Sequence, residues 1–70
     1  MGESPDRWQQ YNLAAKERDV LLQIADGRST MEIAHALGMR VKLVYQFQRS
    51  LYIKLEVGDR PSLIRKARGE

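Results

Sequence analysis

Apolar residues recur along most of this chain at three- and four-residue intervals, the spacing that gathers side chains on one face of a helix. Leu13, Val20, Leu21, Ile24 and Ala25 trace a first helix over about residues 14–26, with Lys16, Arg18, Asp19 and Gln23 on its other faces. Ala14 stands where a Ser or Thr cap is expected, so its start is weakly specified. Glu17 in the first turn suits the helix dipole, and Gly27 supplies a left-handed stop. Ser29-Thr30-Met31-Glu32 is a capping box, in which the serine and the glutamate each satisfy a backbone N–H. It opens a second helix over about 30–37, with Ile33, Ala34 and Leu37 on one face and Gly38 at its end. A third helix over about 41–55 is expected to bury Val44, Phe47, Leu51 and Leu55, with Leu43 at the edge of the stripe. Glu56-Val57-Gly58 breaks it. Asp59 caps a fourth helix over about 60–67, whose first turn tolerates Pro61 and whose apolar side is Leu63, Ile64 and Ala67. The pattern is all-α, a four-helix bundle.

Residues 1–12 read as an N-terminal tail and 13–68 as the domain. Ser4-Pro5 resembles an N-cap followed by a first-turn proline, which allows a short extra helix over about 5–11. Trp8 and Tyr11 are three residues apart and share a face. They are either aromatics of a frayed tail leaning on the domain or a lid or dimer contact.

Ala34, Gly38 and Val44 fall at the spacing small-x3-Gly-x5-Val. A small residue lets two helix backbones approach, Gly adopts the positive φ of a tight turn, and Val begins the next buried stripe. This is the helix-turn-helix pattern, whose second helix is offered to a DNA groove; an ordinary αα-hairpin is the plain alternative. On the third helix the face opposite the apolar stripe is Lys42, Tyr45, Gln46, Arg49 and Ile53. Between Arg40 and Leu55 there are four basic residues and no acidic one, and that asymmetry favours the DNA-binding form.

Seventy residues make one domain at most. A chain this short hides only about 60% of the surface its unfolded form exposes, which leaves little room for a deep catalytic pocket. The net charge of +3 favours an anionic partner. There is no cysteine, hence no disulfide and no thiolate metal site. That fits a cytoplasmic protein, as does the N-terminus, which carries acids and no apolar core and so does not read as a signal peptide. No apolar run approaches the ~20 residues of a membrane span. The single histidine, His35, has Glu32 and Met31 nearby on the second helix, too few ligands for a metal. No metal, cofactor or catalytic constellation is expected, and the chain does not read as an enzyme.

From Leu13 to Leu63 the chain resembles the LuxR/GerE-type helix-turn-helix domain without a gap. Leu13-Ala14-Ala15-Lys16-Glu17-Arg18-Asp19-Val20-Leu21 stands against the family's Leu-Thr-Pro-Arg-Glu-Arg-Glu-Val-Leu. The likeness continues through Ile24-Ala25-Asp26-Gly27, Ser29-Thr30-Met31-Glu32-Ile33-Ala34 and Leu37-Gly38, and closes with Val44, Lys54-Leu55 and Val57. It implies a four-helix DNA-binding domain, bacterial, usually the output half of a transcription regulator. This chain is expected to be a small stand-alone member or an excised domain. It also implies a homodimer through the fourth helix, here Leu63, Ile64 and Ala67. The recognition helix departs from the family's Ser-x-x-Thr-Val-Lys-x-His. Arg40 replaces the serine, Leu43 the threonine that reaches phosphate, Tyr45 the lysine that contacts DNA and Phe47 the histidine, while Arg49 keeps the second basic groove position.

The expected function is therefore a DNA-binding transcriptional regulator with its third helix in the major groove of double-stranded DNA. Lys42 and Arg49 are assigned to phosphate or a guanine edge, Gln46 to adenine, and Tyr45 to phosphate or a thymine methyl. Arg40 and Lys54 are assigned to the backbone, where contacts fix register without reading sequence. A second reading is a protein-interaction module whose Tyr45, Phe47, Tyr52 and Ile53 bind another regulatory protein. Val41, Gln48 and Tyr52 form a further flank, either a docking strip or the edge of the core. A domain like σ-factor region 4 is a weaker third. A membrane role is disfavoured because the third helix spends its apolar stripe on the core.

Overall fold

The computed structural model describes residues 5–70. A 3-10 helix over Asp6–Tyr11 precedes four α-helices: α1 Ala15–Ala25, α2 Thr30–Leu37, α3 Val41–Leu55 and α4 Arg60–Arg68. No strand occurs among the described residues. The α-helices fall where hydrophobic periodicity and capping residues place them. The Ser29 hydroxyl accepts from the Glu32 N–H at 3.1 Å, and the Glu32 carboxylate accepts from the Ser29 N–H at 2.8 Å. Gly38 ends α2 in the left-handed region at φ 64°. The Asp59 carboxylate accepts from the Ser62 N–H at 2.8 Å and starts α4. Both capping carboxyls titrate below their ordinary values, first because a backbone N–H holds the charged form.

α1 packs against α3 and α4, and α2 packs against α3. The core is Trp8, Val20, Leu21, Ile24, Ile33, Ala34, Val44, Leu51, Leu55, Leu63 and Ala67. Ala34 is buried at the α2–α3 turn, as the small residue of the spacing requires. Its carbonyl accepts the Met39 N–H at 2.9 Å and closes that turn.

Several positions differ from the sequence expectation, each for a physical reason. Trp8 is neither tail nor lid: it is only 2% exposed, and its indole Nε1 donates to the Ala67 carbonyl at 2.8 Å. Arg7 donates to the same oxygen through Nε at 3.2 Å and Nη2 at 2.9 Å. The last carbonyls of a helix have no intrahelical donor, so the N-terminal segment satisfies the end of α4. Pro5 is the cap of this 3-10 helix rather than its first residue, and the Ser4 cap lies outside the described residues.

On α3 the buried ridge is Val44, Gln48, Leu51 and Leu55, while Phe47 is only half-buried beside it. Gln48 belongs to the core because its Oε1 accepts from the Thr30 hydroxyl at 3.1 Å and from Arg60 Nη1 at 2.8 Å. One amide oxygen thereby ties α2, α3 and α4 together. Val41 and Tyr52, half-buried against the core, are its edge and not a separate docking strip.

The helix dipole does not account fully for Glu17, which is 5% exposed and joins α1 to α3. Its carboxylate accepts from the Ala14 N–H at 2.7 Å, from Lys54 Nζ at 2.7 Å and from the Ser50 hydroxyl. Burial alone would raise its pKa, but the Lys54 and Ser50 hydrogen bonds and the Ala14 N–H outweigh burial and hold it below the ordinary glutamate value. The stop of α3 falls on Glu56, at φ 58° and ψ 50°, and not on Gly58, whose φ is not in the left-handed region.

Candidate nucleic-acid interface

The core fixes the rotation of α3. With Val44, Gln48, Leu51 and Leu55 inward, the helical period turns Lys42, Gln46, Arg49 and Ile53 directly outward as a ridge. All four are exposed, and so are Arg40 and Tyr45. At a rise of 1.5 Å per residue, Lys42 and Arg49 stand about 10 Å apart along the axis. A major groove about 12 Å wide admits an α-helix, and both cations lie on the side of α3 that would face it.

Arg40, the N-cap, has extended backbone and no side-chain cap bond. Among the described residues, the side chains of Arg40, Lys42, Tyr45, Gln46 and Arg49 make no hydrogen bond and no ion pair. Their polar groups point to solvent instead of being used up inside the fold. Among the described residues the one ion pair of the domain lies beside this face, between Lys54 and Glu17. Lys54 thus sits apart from the other cations: its ammonium is held by Glu17 at 2.7 Å and by the Asn12 carbonyl at 3.2 Å. Its work in this structure is to fasten the C-terminal half of α3 to α1.

The support for the ridge is polar and comes from residues distant in sequence. The Thr30–Gln48–Arg60 cluster sets the angle of α3 against α2 and α4. Arg60 also donates to the Arg28 carbonyl. The Glu17–Ser50–Lys54 cluster sets it against α1. Hydrophobic periodicity locates the exposed ridge in the sequence but neither of these clusters. The signal for Gln48 was its position, four residues after Val44 and three before Leu51.

The residues expected to form a dimer contact are placed differently. Leu63 is 1% exposed and Ala67 is fully buried, both inside this chain's own core, and Ile64 is half-buried against it. The exposed part of α4 carries Arg65, Lys66 and Arg68. Leu63 and Ala67 are therefore core residues and not a surface that a second copy can reach. His35 is exposed, and no group of metal-ligating side chains occurs among the described residues.

Residues 11–67 match the family described as bacterial regulatory proteins, luxR family. The chain is also 45% identical over 56 residues to "Uncharacterized transcriptional regulatory protein YhcZ" of Bacillus subtilis (strain 168). That alignment covers 80% of this chain and 26% of the relative, so the chain spans about a quarter of the relative's length. No solved structure gives a significant match. No helix among the described residues is long and apolar enough to cross a membrane.

Proposed function

The chain belongs to the luxR family of bacterial regulatory proteins, and on that premise we propose that it is a DNA-binding transcription regulator that lays α3 in the major groove. The observation that carries this reading is the outward ridge of α3. It holds cations and an amide, all exposed, in a stretch with no acidic residue between Arg40 and Leu55. Lys42 and Arg49 supply the charge for phosphate, and the Arg49 fork also matches guanine O6 and N7. The Gln46 amide offers the donor and acceptor that adenine N6 and N7 require. Arg40, at the helix start, contacts the backbone and sets register. Lys54 keeps Glu17 as its partner and braces α3 against α1 from beside the ridge.

Affinity for mixed-sequence duplex, measured by fluorescence anisotropy at low and moderate salt, tests the reading. The wild-type chain binds with a salt-dependent affinity. Arg49→Ala and Lys42→Ala each weaken it and make the salt slope shallower by about one for each phosphate no longer neutralised. No binding by the wild type, or variants that bind as it does, overturns the proposal.

A second reading is favoured by one observation. Tyr45 is 59% and Ile53 70% exposed, more apolar surface than a purely phosphate-binding face needs. It makes α3 a contact for another regulatory protein. The same titration separates the two, because an interaction module does not bind duplex.

A further inference from the structure

Besides its cations, the outward side of the first two turns of α3 carries Leu43, Tyr45 and Gln46. Leu43 is 41% and Tyr45 59% exposed. Neither belongs to the apolar side chains packed against the core, so the fold does not require their apolar character. At 100° per residue Leu43 lies about 60° from Gln46 on one flank of the ridge, and Tyr45 about 40° from Arg49 on the other. A helix seated in a groove by this ridge brings both apolar side chains against the groove surface.

The chemistry of that surface narrows what they meet. Every base pair presents hydrogen-bonding groups in the major groove, and the one apolar group there is the thymine C5-methyl. A leucine pressed on a guanine or cytosine edge covers donors and acceptors without replacing their water, which is unfavourable. Pressed on thymine it covers a methyl. Leu43 has no polar atom to offer a phosphate. Gln46 points the same way, because its amide fits the N6 and N7 of the adenine paired with that thymine.

From this we infer that the recognition surface selects A·T-rich sequence, with thymine methyl groups against Leu43 and Tyr45 and adenine against Gln46. The inference rests on the groove-binding reading above and adds to it the base class that is read. Lys42 and Arg49 are the side chains of the set that favour guanine, so the preferred site is A·T-rich around one or two G·C pairs.

The test begins with the tightest duplex selected by the full chain from a randomised pool. That duplex is compared with its copy in which each thymine is replaced by deoxyuridine, which lacks only the methyl. The selected site is A·T-rich, and the wild-type chain binds the deoxyuridine copy about fourfold more weakly for each methyl covered. The double variant Leu43→Ala, Tyr45→Ala binds the two copies equally, with an unchanged salt slope and an unchanged thermal midpoint. Gln46→Ala loses its preference for adenine at one position. A G·C-rich selected site, equal wild-type affinity for the two copies, or a thymine preference that survives the double variant overturns the inference and leaves groove binding standing. No duplex binding at any salt overturns the groove-binding reading as well.

Discussion

Replacing Trp8 tests whether the N-terminal segment is part of the domain. A fully buried tryptophan removes about 150–250 Å² from water. At about 25 cal/mol per Å² this is worth about 4–6 kcal/mol, an upper bound because the unfolded chain already hides some of that area. Cavity data for Trp or Phe to Ala give about 3–5 kcal/mol. A domain of this length has about 4–10 kcal/mol in total. Trp8→Ala therefore removes a large share of the stability. Trp8→Phe keeps most of the apolar contact and loses the indole N–H. The Ala67 carbonyl is not orphaned, because Arg7 still donates to it twice. The expected cost is then about 1–2 kcal/mol. Urea unfolding followed by far-ultraviolet circular dichroism measures both. In thermal melts each kcal/mol corresponds to about 4–8 °C for a chain of this size. In the wild type Trp8 is the only tryptophan, so its fluorescence must change together with helix content in one transition. A Trp8→Ala protein within about 0.5 kcal/mol of wild type refutes the placement of this ring in the core, and so does a fluorescence change that precedes loss of helix.

Two further outcomes follow from local geometry. Glu17→Gln removes the charge that holds Lys54, Ser50 and the Ala14 N–H; because Lys54 is partly solvated, the expected loss is about 1–2 kcal/mol at neutral pH. Since the folded pKa of Glu17 is lowered, its contribution is fully present above the unfolded value and is lost as pH falls through the folded one. The stability gap between wild type and Glu17→Gln therefore closes on acidification, and a gap constant with pH contradicts that role for the carboxylate. Glu56→Gly relieves a non-glycine residue in the left-handed region, and after the extra unfolded-state entropy of glycine the expected gain is about 0.5–1 kcal/mol by chemical denaturation. A loss of stability means instead that the Glu56 side chain stabilises the fold by more than its backbone strain costs.

The four α-helices were legible because their signals are local. Ser29 and Glu32 are three residues apart, Gly38 and Asp59 stand at boundaries, and the apolar spacing of α1 and α3 repeats over several turns. The family was legible for the same reason, since its pattern lies in those caps and stripes. What escaped depends on partners distant in sequence. Trp8 sits in a polar segment whose one apolar helical pair is Trp8 and Tyr11, and its burial is decided by the end of α4, 59 residues away. Gln48 lies within the buried ridge, yet its polarity points outward until Thr30 and Arg60 are seen to satisfy it. Glu17 has a sufficient local explanation at a helix start, which conceals its second role against Ser50 and Lys54. In the candidate interface the direction of each side chain was legible from the helical period. The commitment of Lys54 to Glu17 was not, because the two are 37 residues apart.

The central claim is that the outward ridge of α3 is the surface that meets DNA. Its most direct test is an amide-resolved NMR titration of the isotopically labelled chain with the selected duplex. The largest shifts and line-broadening are expected on residues 40–50, centred on Lys42, Gln46 and Arg49, with the core of α1 little changed. Perturbations centred on the Arg65, Lys66 and Arg68 end of α4, with α3 silent, would contradict it.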